Sequence, residues 1–154
     1  MLEKFIFYSK LVGNKNYLVK EHDFSQKEFE HHYDIVWLPS FSFLKMLDVG
    51  KNGISSAIVE ADYGIAETGS VVINSLDFQL RKTTCLAEKL DIVVFRSKIV
   101  ESLEDIEEFL RDLTRKNAYI AFITGASRTA DIERVLTMGV HGPCETNIFI
   151  VEDR

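Results

Sequence analysis

The stretch "DIVVFRSKIVESLEDIEEFLRDLTRKNAYIAFIT", residues 91–124, decides the fold class. "DIVVF" is a continuous β-branched and aromatic run, as a strand covered on both faces requires. In "ESLEDIEEFLRDLTRK" (101–116), Leu103, Ile106, Leu110 and Leu113 fall on one helical face. Acidic residues crowd the start of that helix, and Arg111, Arg115 and Lys116 sit near its end, in line with the helix dipole. Ser102 and Asp105 have capping-box spacing. "AYIAFIT" reads as a second strand. Beyond it the pattern predicts a helix from about Thr129 to Met138, stopped by Gly139, and a last strand "NIFIVE". Strand, helix, strand, helix, strand predicts an α/β domain with a mainly parallel sheet. In such sheets ligands settle beyond the carboxyl ends of the strands.

Toward the N-terminus the signals are shorter. Leu2, Phe5, Ile6 and Leu11 predict a helix over the first dozen residues. "GNKN" reads as a turn and "YLVKE" as a strand. Ser25 and Glu28 fit a capping box that opens a brief helix through His31 and His32. The strand "DIVWLP" follows and Pro39 ends it. "FSFLKML" reads as a helical turn, and "SSAIVEA" as a short helix opened by Ser55 or Ser56. "YGIAETGSVVINS" alternates apolar and small residues, which predicts a β-hairpin turning at Thr68 and Gly69.

A chain of 154 residues without repeats or a Pro/Gly-rich linker is expected to form a single domain, 1–154. With 46% hydrophobic and 27% charged residues it can bury a core and keep a solvated surface. A formal charge of -6 disfavours nucleic acid and anionic membranes as partners. Cys85 and Cys144 are too few for a four-cysteine cluster and form no CxxC pair, so a reduced, cytoplasmic setting is expected. Glu3, Lys4, Ser9 and Lys10 interrupt any secretory apolar core, and no apolar run approaches the ~20 residues of a membrane span. His31 and His32, adjacent on a helix, point about 100° apart and make a poor metal pair; His22 is isolated. No metal site and no cofactor are predicted. Trp37, Phe41 and Phe43 read as core.

Two stretches carry chemistry. In "ITGASRTADIERVLTMGVHGP" (123–143) the chain leaves a strand at Gly125, where a ligand or another backbone can approach. Ser127 and Thr129 offer hydroxyl donors. Arg128 can grip a carboxylate or phosphate with two prongs. Orphan amides at the start of the predicted helix favour negative charge. The competing account makes Ser127 or Thr129 a helix cap and pairs Arg128 with Asp131 or Glu133. The other stretch is "AETGS" (66–70). Strand alternation there would place Glu67 beside Tyr63 and Ile65, raising its pKa and fitting it as a base or nucleophile. An ordinary salt-bridged hairpin is the alternative. A Glu67–Arg128 pair would merge both stretches into one site. His141 lies in the "GVHGP" turn before the last strand.

The segments "EADYGIAETGSVVI" (60–73) and "ITGASRTADIERVLTMGVHGP" (123–143), closed by "NIFIVED", resemble the lactate-utilisation (LUD) domain family of the LutC/YkgG kind. The resemblance runs from about Leu47 to the end. It implies a three-layer Rossmann-like domain similar to the NagB/RpiA/CoA-transferase group, and a link to oxidation of lactate to pyruvate beside iron–sulfur partner proteins. Carried over by position, the marked residues are Glu67, Thr68, Gly69 and Ser70 in the first motif. In the second they are Ser127, Arg128, Thr129, Asp131, Glu133, His141, Gly142 and Pro143; the resemblance assigns no role to any of them. Ser70 stands where members usually have Thr, and Ala126 where they have Pro. No Cys-rich extension is present, so any clusters would belong to other subunits.

Three functions are compatible with these residues. The first is a component of a lactate or 2-hydroxy acid utilisation system that holds a small anionic metabolite. The second is a stand-alone enzyme acting on a sugar phosphate or acyl-CoA, with Glu67 as base or nucleophile. The third is a non-catalytic anion-binding or assembly subunit. A homo-oligomer is compatible with each.

Overall fold

A computed structural model describes the chain except residues 48, 50–52, 76, 127, 130–136, 139–141 and 153–154; at 128–129 and 137–138 it describes backbone alone. In chain order, α1 (Leu2–Leu11), β1 (Lys15–Val19), α2 (Gln26–His32), β2 (Ile35–Leu38) and β3 (Phe43–Lys45) come first. Next are β4 (Ile54–Glu60), β5 (Tyr63–Ile65), β6 (Ser70–Asn74), α3 (Phe78–Leu86) and β7 (Ala87–Phe95). The rest is β8 (Ile99–Val100), α4 (Glu107–Arg115), β9 (Ile120–Ile123), β10 (Arg128–Thr129), β11 (Thr137–Met138) and β12 (Glu145–Val151).

The fold is mixed α/β with a mostly parallel central sheet. Its six strands run in the order β1-β12-β7-β4-β2-β3, all parallel except the edge strand β3. "DIVVF" lies within β7, near the centre, where both faces are covered as its unbroken apolar run requires. A smaller sheet, β8-β5-β6-β9, continues from the carboxyl ends of β4 and β7. One face of the main sheet (Val59, Ile92, Ile148) packs with Phe5 of α1, Leu80 of α3 and the small sheet's Val71 and Ile73. The opposite face (Ile58, Val93, Val151) is covered by the aromatic segment Phe24–Phe43. The outer face of the small sheet carries α4 through Ile106, Phe109 and Leu110. The expected capping box forms at Ser102, whose amide donates to Asp105 at 2.9 Å; at Ser25 one half of it is described, the hydroxyl accepting from the Glu28 amide.

Four expectations change. "SSAIVEA" is strand, not helix: placed between β2 and β7, its β-branched residues bury on both faces, and that burial outweighs a serine cap. "FSFLKML" is not a helical turn but a 3-10 turn, Pro39–Phe41, followed by β3; Ser42 at φ 59 makes the reversal. "AYIAFIT" supplies β9, yet β9 pairs antiparallel with β6 in the small sheet and so does not extend the parallel one. Where a helix was expected from Thr129 to Met138, the backbones of Arg128–Thr129 and Thr137–Met138 form an antiparallel pair; the residues between lie outside the described ones. Helix α3 was not anticipated. Asp77 caps it, accepting from the Gln79 and Leu80 amides at 2.8 and 3.0 Å.

Candidate functional site

Hairpin β5–β6 places the first motif. Ala66 to Gly69 form the turn, and the Gly69 amide closes it on the Ile65 carbonyl at 2.9 Å. Gly69 adopts φ 67, and a Cβ there would lie 2.3 Å from the Ser9 amide nitrogen. Glycine is therefore required twice over, for conformation and for close approach. Thr68 is exposed, and its hydroxyl accepts from the Ser70 amide at 3.3 Å.

The second motif begins where β9 ends beside β6. Ser70 is 6% exposed, and its hydroxyl lies 2.9 Å from the Thr124 hydroxyl. Gly125 lies against α1: a Cβ there would sit 2.7 Å from the Val12 carbonyl oxygen. The last turn of α1 thus seats both motifs. Buried Asn14, directly after that helix, joins three segments. Its amide donates to the Ser9 hydroxyl at 3.1 Å and the Thr124 carbonyl at 3.2 Å, and its oxygen accepts from the Thr146 hydroxyl. Thr146 belongs to the start of β12. The seam is therefore tied to the amino-terminal edge of the main sheet, where the sequence pattern had placed it at the carboxyl edge. The reason is β9, which pairs antiparallel with β6 in the small sheet.

Outside this junction, a depression of about 280 Å³ is lined by Val12, Thr124, Gly125 and Ala126. Each hydroxyl has one proton. If Ser70 donates to Thr124, the exposed Thr124 can donate outward. Among the described residues neither hydroxyl bonds to a base, so the pair is equipped to bind more than to attack.

Glu67 does not follow the strand alternation expected of it. The chain turns before that register can carry it inward, and Glu67 is exposed. Its amide donates to the Glu101 carbonyl at 3.1 Å, and its carboxylate is 3.5 Å from the Leu103 amide. Lys4 senses it: hydrogen bonding to Glu101 first, then the charges of Glu101, Tyr8 and Glu67, hold that lysine above its ordinary value against the opposing effect of burial. The structure thus brings Gly69, Ser70 and Gly125 together and leaves Glu67 on the outer tip. Gly142 is half-buried in a bend, followed by buried Pro143. Ser127, Asp131, Glu133 and His141, the side chains of Arg128 and Thr129, and hence the Glu67–Arg128 pairing lie outside the described residues.

Sequence reasoning passed over three polar groups. Asn14 sits in "GNKN", which signalled only a turn. Asp91 is 1% exposed within β7, accepting from the Asn147 amide at 2.7 Å and from the Tyr33 hydroxyl, with Lys89 3.6 Å away. Burial and then the bond to Asp91 push the Tyr33 phenol above its usual range, so it stays a donor. Asp62 accepts from the Asn74 amide at 2.7 Å. Burial raises its carboxyl above the ordinary value, with Glu60 adding to the effect while the Asn74 bond and Lys98 oppose it.

The sign for Asp62 follows from linkage. The folded chain holds this proton more tightly than the unfolded one, so stability falls as pH rises from about 3.8 through the folded value and is level above it. Asp62→Asn retains an acceptor and removes the half-buried charge. It should raise Tm at pH 7, with the gain fading toward pH 3.8; thermal melts across that range check it, and a lower Tm at pH 7 would contradict it.

Among the described residues no group of three or more His, Cys, Asp or Glu could hold a metal ion, and no helix is long and apolar enough to cross a membrane.

The family model for the LUD domain matches residues 52–151. Lactate utilization protein C 1 of Bacillus mycoides (strain KBAB4) is 32% identical over 116 residues, which cover 73% of this chain and 47% of that protein. The YkgG protein of Escherichia coli (strain K12) is 32% identical over 129 residues, 77% of this chain and 52% of that one. The chain thus spans about half the length of the curated relatives it matches. A crystal structure of a DUF162 family protein from Deinococcus radiodurans superposes with a TM-score of 0.67 over 97% of this chain and 95% of that one. At 13% identity it shows a shared fold.

Proposed function

We propose, since this chain belongs to the LUD domain family, that it serves a lactate (2-hydroxy acid) utilisation system and holds a small carboxylate beside the Thr124–Gly125 seam. Oxidation of L-lactate to pyruvate would then proceed with separate iron–sulfur subunits, which carry the redox groups. The observation that carries this reading is the 2.9 Å contact of the Ser70 and Thr124 hydroxyls, which ties the first motif to the residue that lines the depression. A relative named for lactate utilisation supports the choice of ligand class. With Ser70 donating to it, Thr124 supplies an outward hydroxyl donor, and Arg128, four residues on, is assigned as the carboxylate's cationic partner. Ser127, Thr129 and His141 are assigned to the same pocket, with Glu67 outside it.

Thermal shift tests the proposal. L-lactate or pyruvate at a hundredfold excess over Kd adds about 2.7 kcal/mol, or roughly 5–10 °C for a domain of this size. Arg128→Ala should abolish the shift and leave the ligand-free Tm nearly unchanged. Stabilisation by ribose 5-phosphate or coenzyme A and not by lactate would favour a stand-alone enzyme of the wider fold group instead. Capture of a cluster-bearing subunit without binding of any of these ligands would favour an assembly role.

A further inference from the structure

On the face of the main sheet opposite α1, a cavity of about 140 Å³ is walled by four aromatic rings, those of Phe24, Phe29, Tyr33 and Phe149. Phe24 and Phe29 lie 5.2 Å apart at 66°, and Phe29 and Tyr33 5.8 Å apart at 75°. Each pair meets edge to face, and Phe149 stacks on Tyr17 at 5.1 Å and 21°, so the cavity opens within a packed aromatic cluster. Val19 and Ile58 complete the apolar lining, and Asp23 is the charged residue that joins it. The Asp23 side chain is half-exposed and accepts from the Lys20 amide at 2.9 Å, with His22 3.5 Å away on the surface.

The chemistry of this cavity selects its occupant. Ring faces carry negative quadrupole potential and attract cations. A phenol that donates its proton to a carboxylate, as Tyr33 does to buried Asp91, has a more electron-rich ring. Asp23 adds a full negative charge on the solvent side, Lys89 partly offsets Asp91 behind, and the chain as a whole carries -6. Asp23 on the rim disfavours an anion, although Lys45 donates to the Tyr33 carbonyl at 2.8 Å. A small inorganic cation would have to exchange its water for phenyl faces. An alkylated ammonium is weakly hydrated and apolar on its outside, so it gains from both the rings and the carboxylate. At about 30 Å³ per water-sized group, the cavity has room for roughly five such groups, the size of a trimethylammonium head and one methylene.

We propose that this cavity binds an organic cation of the alkylammonium class, held by the rings of Phe24, Phe29, Tyr33 and Phe149 and by the Asp23 carboxylate. The site is separated from the Thr124 seam by the main sheet and does not depend on the carboxylate reading.

The test is methyl NMR of the whole chain with choline and tetramethylammonium, compared with 3,3-dimethylbutan-1-ol, the neutral isostere of choline. Both cations should give saturable shifts at the Ile58 and Val19 methyls, and the neutral alcohol should bind at least tenfold more weakly. Phe29→Leu keeps the apolar character and loses a ring, so it should weaken choline at least tenfold. Asp23→Asn keeps the acceptor for the Lys20 amide and should weaken choline several-fold. Methyl signals remote from the cavity report that each variant is folded. Equal binding of the neutral alcohol would reduce the site to an apolar hole and overturn the proposal. Absence of saturable shifts with the wild-type chain, or shifts indifferent to both substitutions in folded protein, would overturn it as well.

Discussion

Gly69→Ala is expected to cost about 3 kcal/mol or more, lowering Tm by roughly 6–12 °C in a chain of this length. Two costs add. At φ 67 an L-residue sits in the left-handed region, a penalty of about 1–2 kcal/mol. The new methyl would also lie 2.3 Å from the Ser9 nitrogen, 2.6 Å from the Tyr8 carbonyl carbon and 2.7 Å from the Ser9 Cα. These are backbone atoms, so no rotamer change relieves the overlap, and α1 must lift from the hairpin. Lifting α1 loosens Phe5, fully buried in the main core. Gly125→Ala meets one backbone oxygen at 2.7 Å without a positive φ and should cost less; Thr68→Ala, on an exposed residue, should cost under about 1 kcal/mol. Urea denaturation of the three variants orders them. A Gly69→Ala protein within 2 °C of wild type would show that α1 is not seated as described.

The same turn explains what the sequence could and could not disclose. Local signals with one physical meaning translate directly. A continuous β-branched run became β7, Ser102 and Asp105 became a capping box, and Thr-Gly between alternating residues became the β5–β6 hairpin. Failures arise where tertiary burial decides. "SSAIVEA" has a serine cap pattern, but its position between two parallel strands makes it β4. β9 has the composition of a buried parallel strand, but it pairs with β6 at the periphery, and this moves the Thr124 seam to the other edge of the main sheet. Glu67 was assigned inward by extending strand parity through residues that are already turning. Asn14, in a segment read as a turn, and Asp91, in a strand, were passed over because a buried polar residue reveals nothing locally of its partners, which are 132 and 58 residues away for the Thr146 and Tyr33 bonds. The proximity of the two motifs was expected through a Glu67–Arg128 pair; among the described residues it is the Ser70–Thr124 contact that joins them.

Asp91→Ala should be the other large effect, about 3–5 kcal/mol, for a reason unrelated to hydrophobic volume. Asp91 is 1% exposed and accepts from two donors, the Tyr33 hydroxyl and the Asn147 amide. Removing it leaves both donors short of a partner in a nearly dry site, at about 1–3 kcal/mol each. Lys89, with 45% of its side chain exposed, can rehydrate and adds little. Asp91→Asn should fall between, since its oxygen can still accept one bond while its amide faces the Asn147 donor. The decisive measurement is a double-mutant cycle with Tyr33→Phe. Once the phenol is gone, deleting the carboxylate orphans one donor fewer, so the double variant should lose at least 1 kcal/mol less than the sum of the single losses. Strict additivity, or an Asp91→Ala loss below 1 kcal/mol, would mean that water reaches this carboxylate in solution and that α2 is not anchored to the sheet through Tyr33.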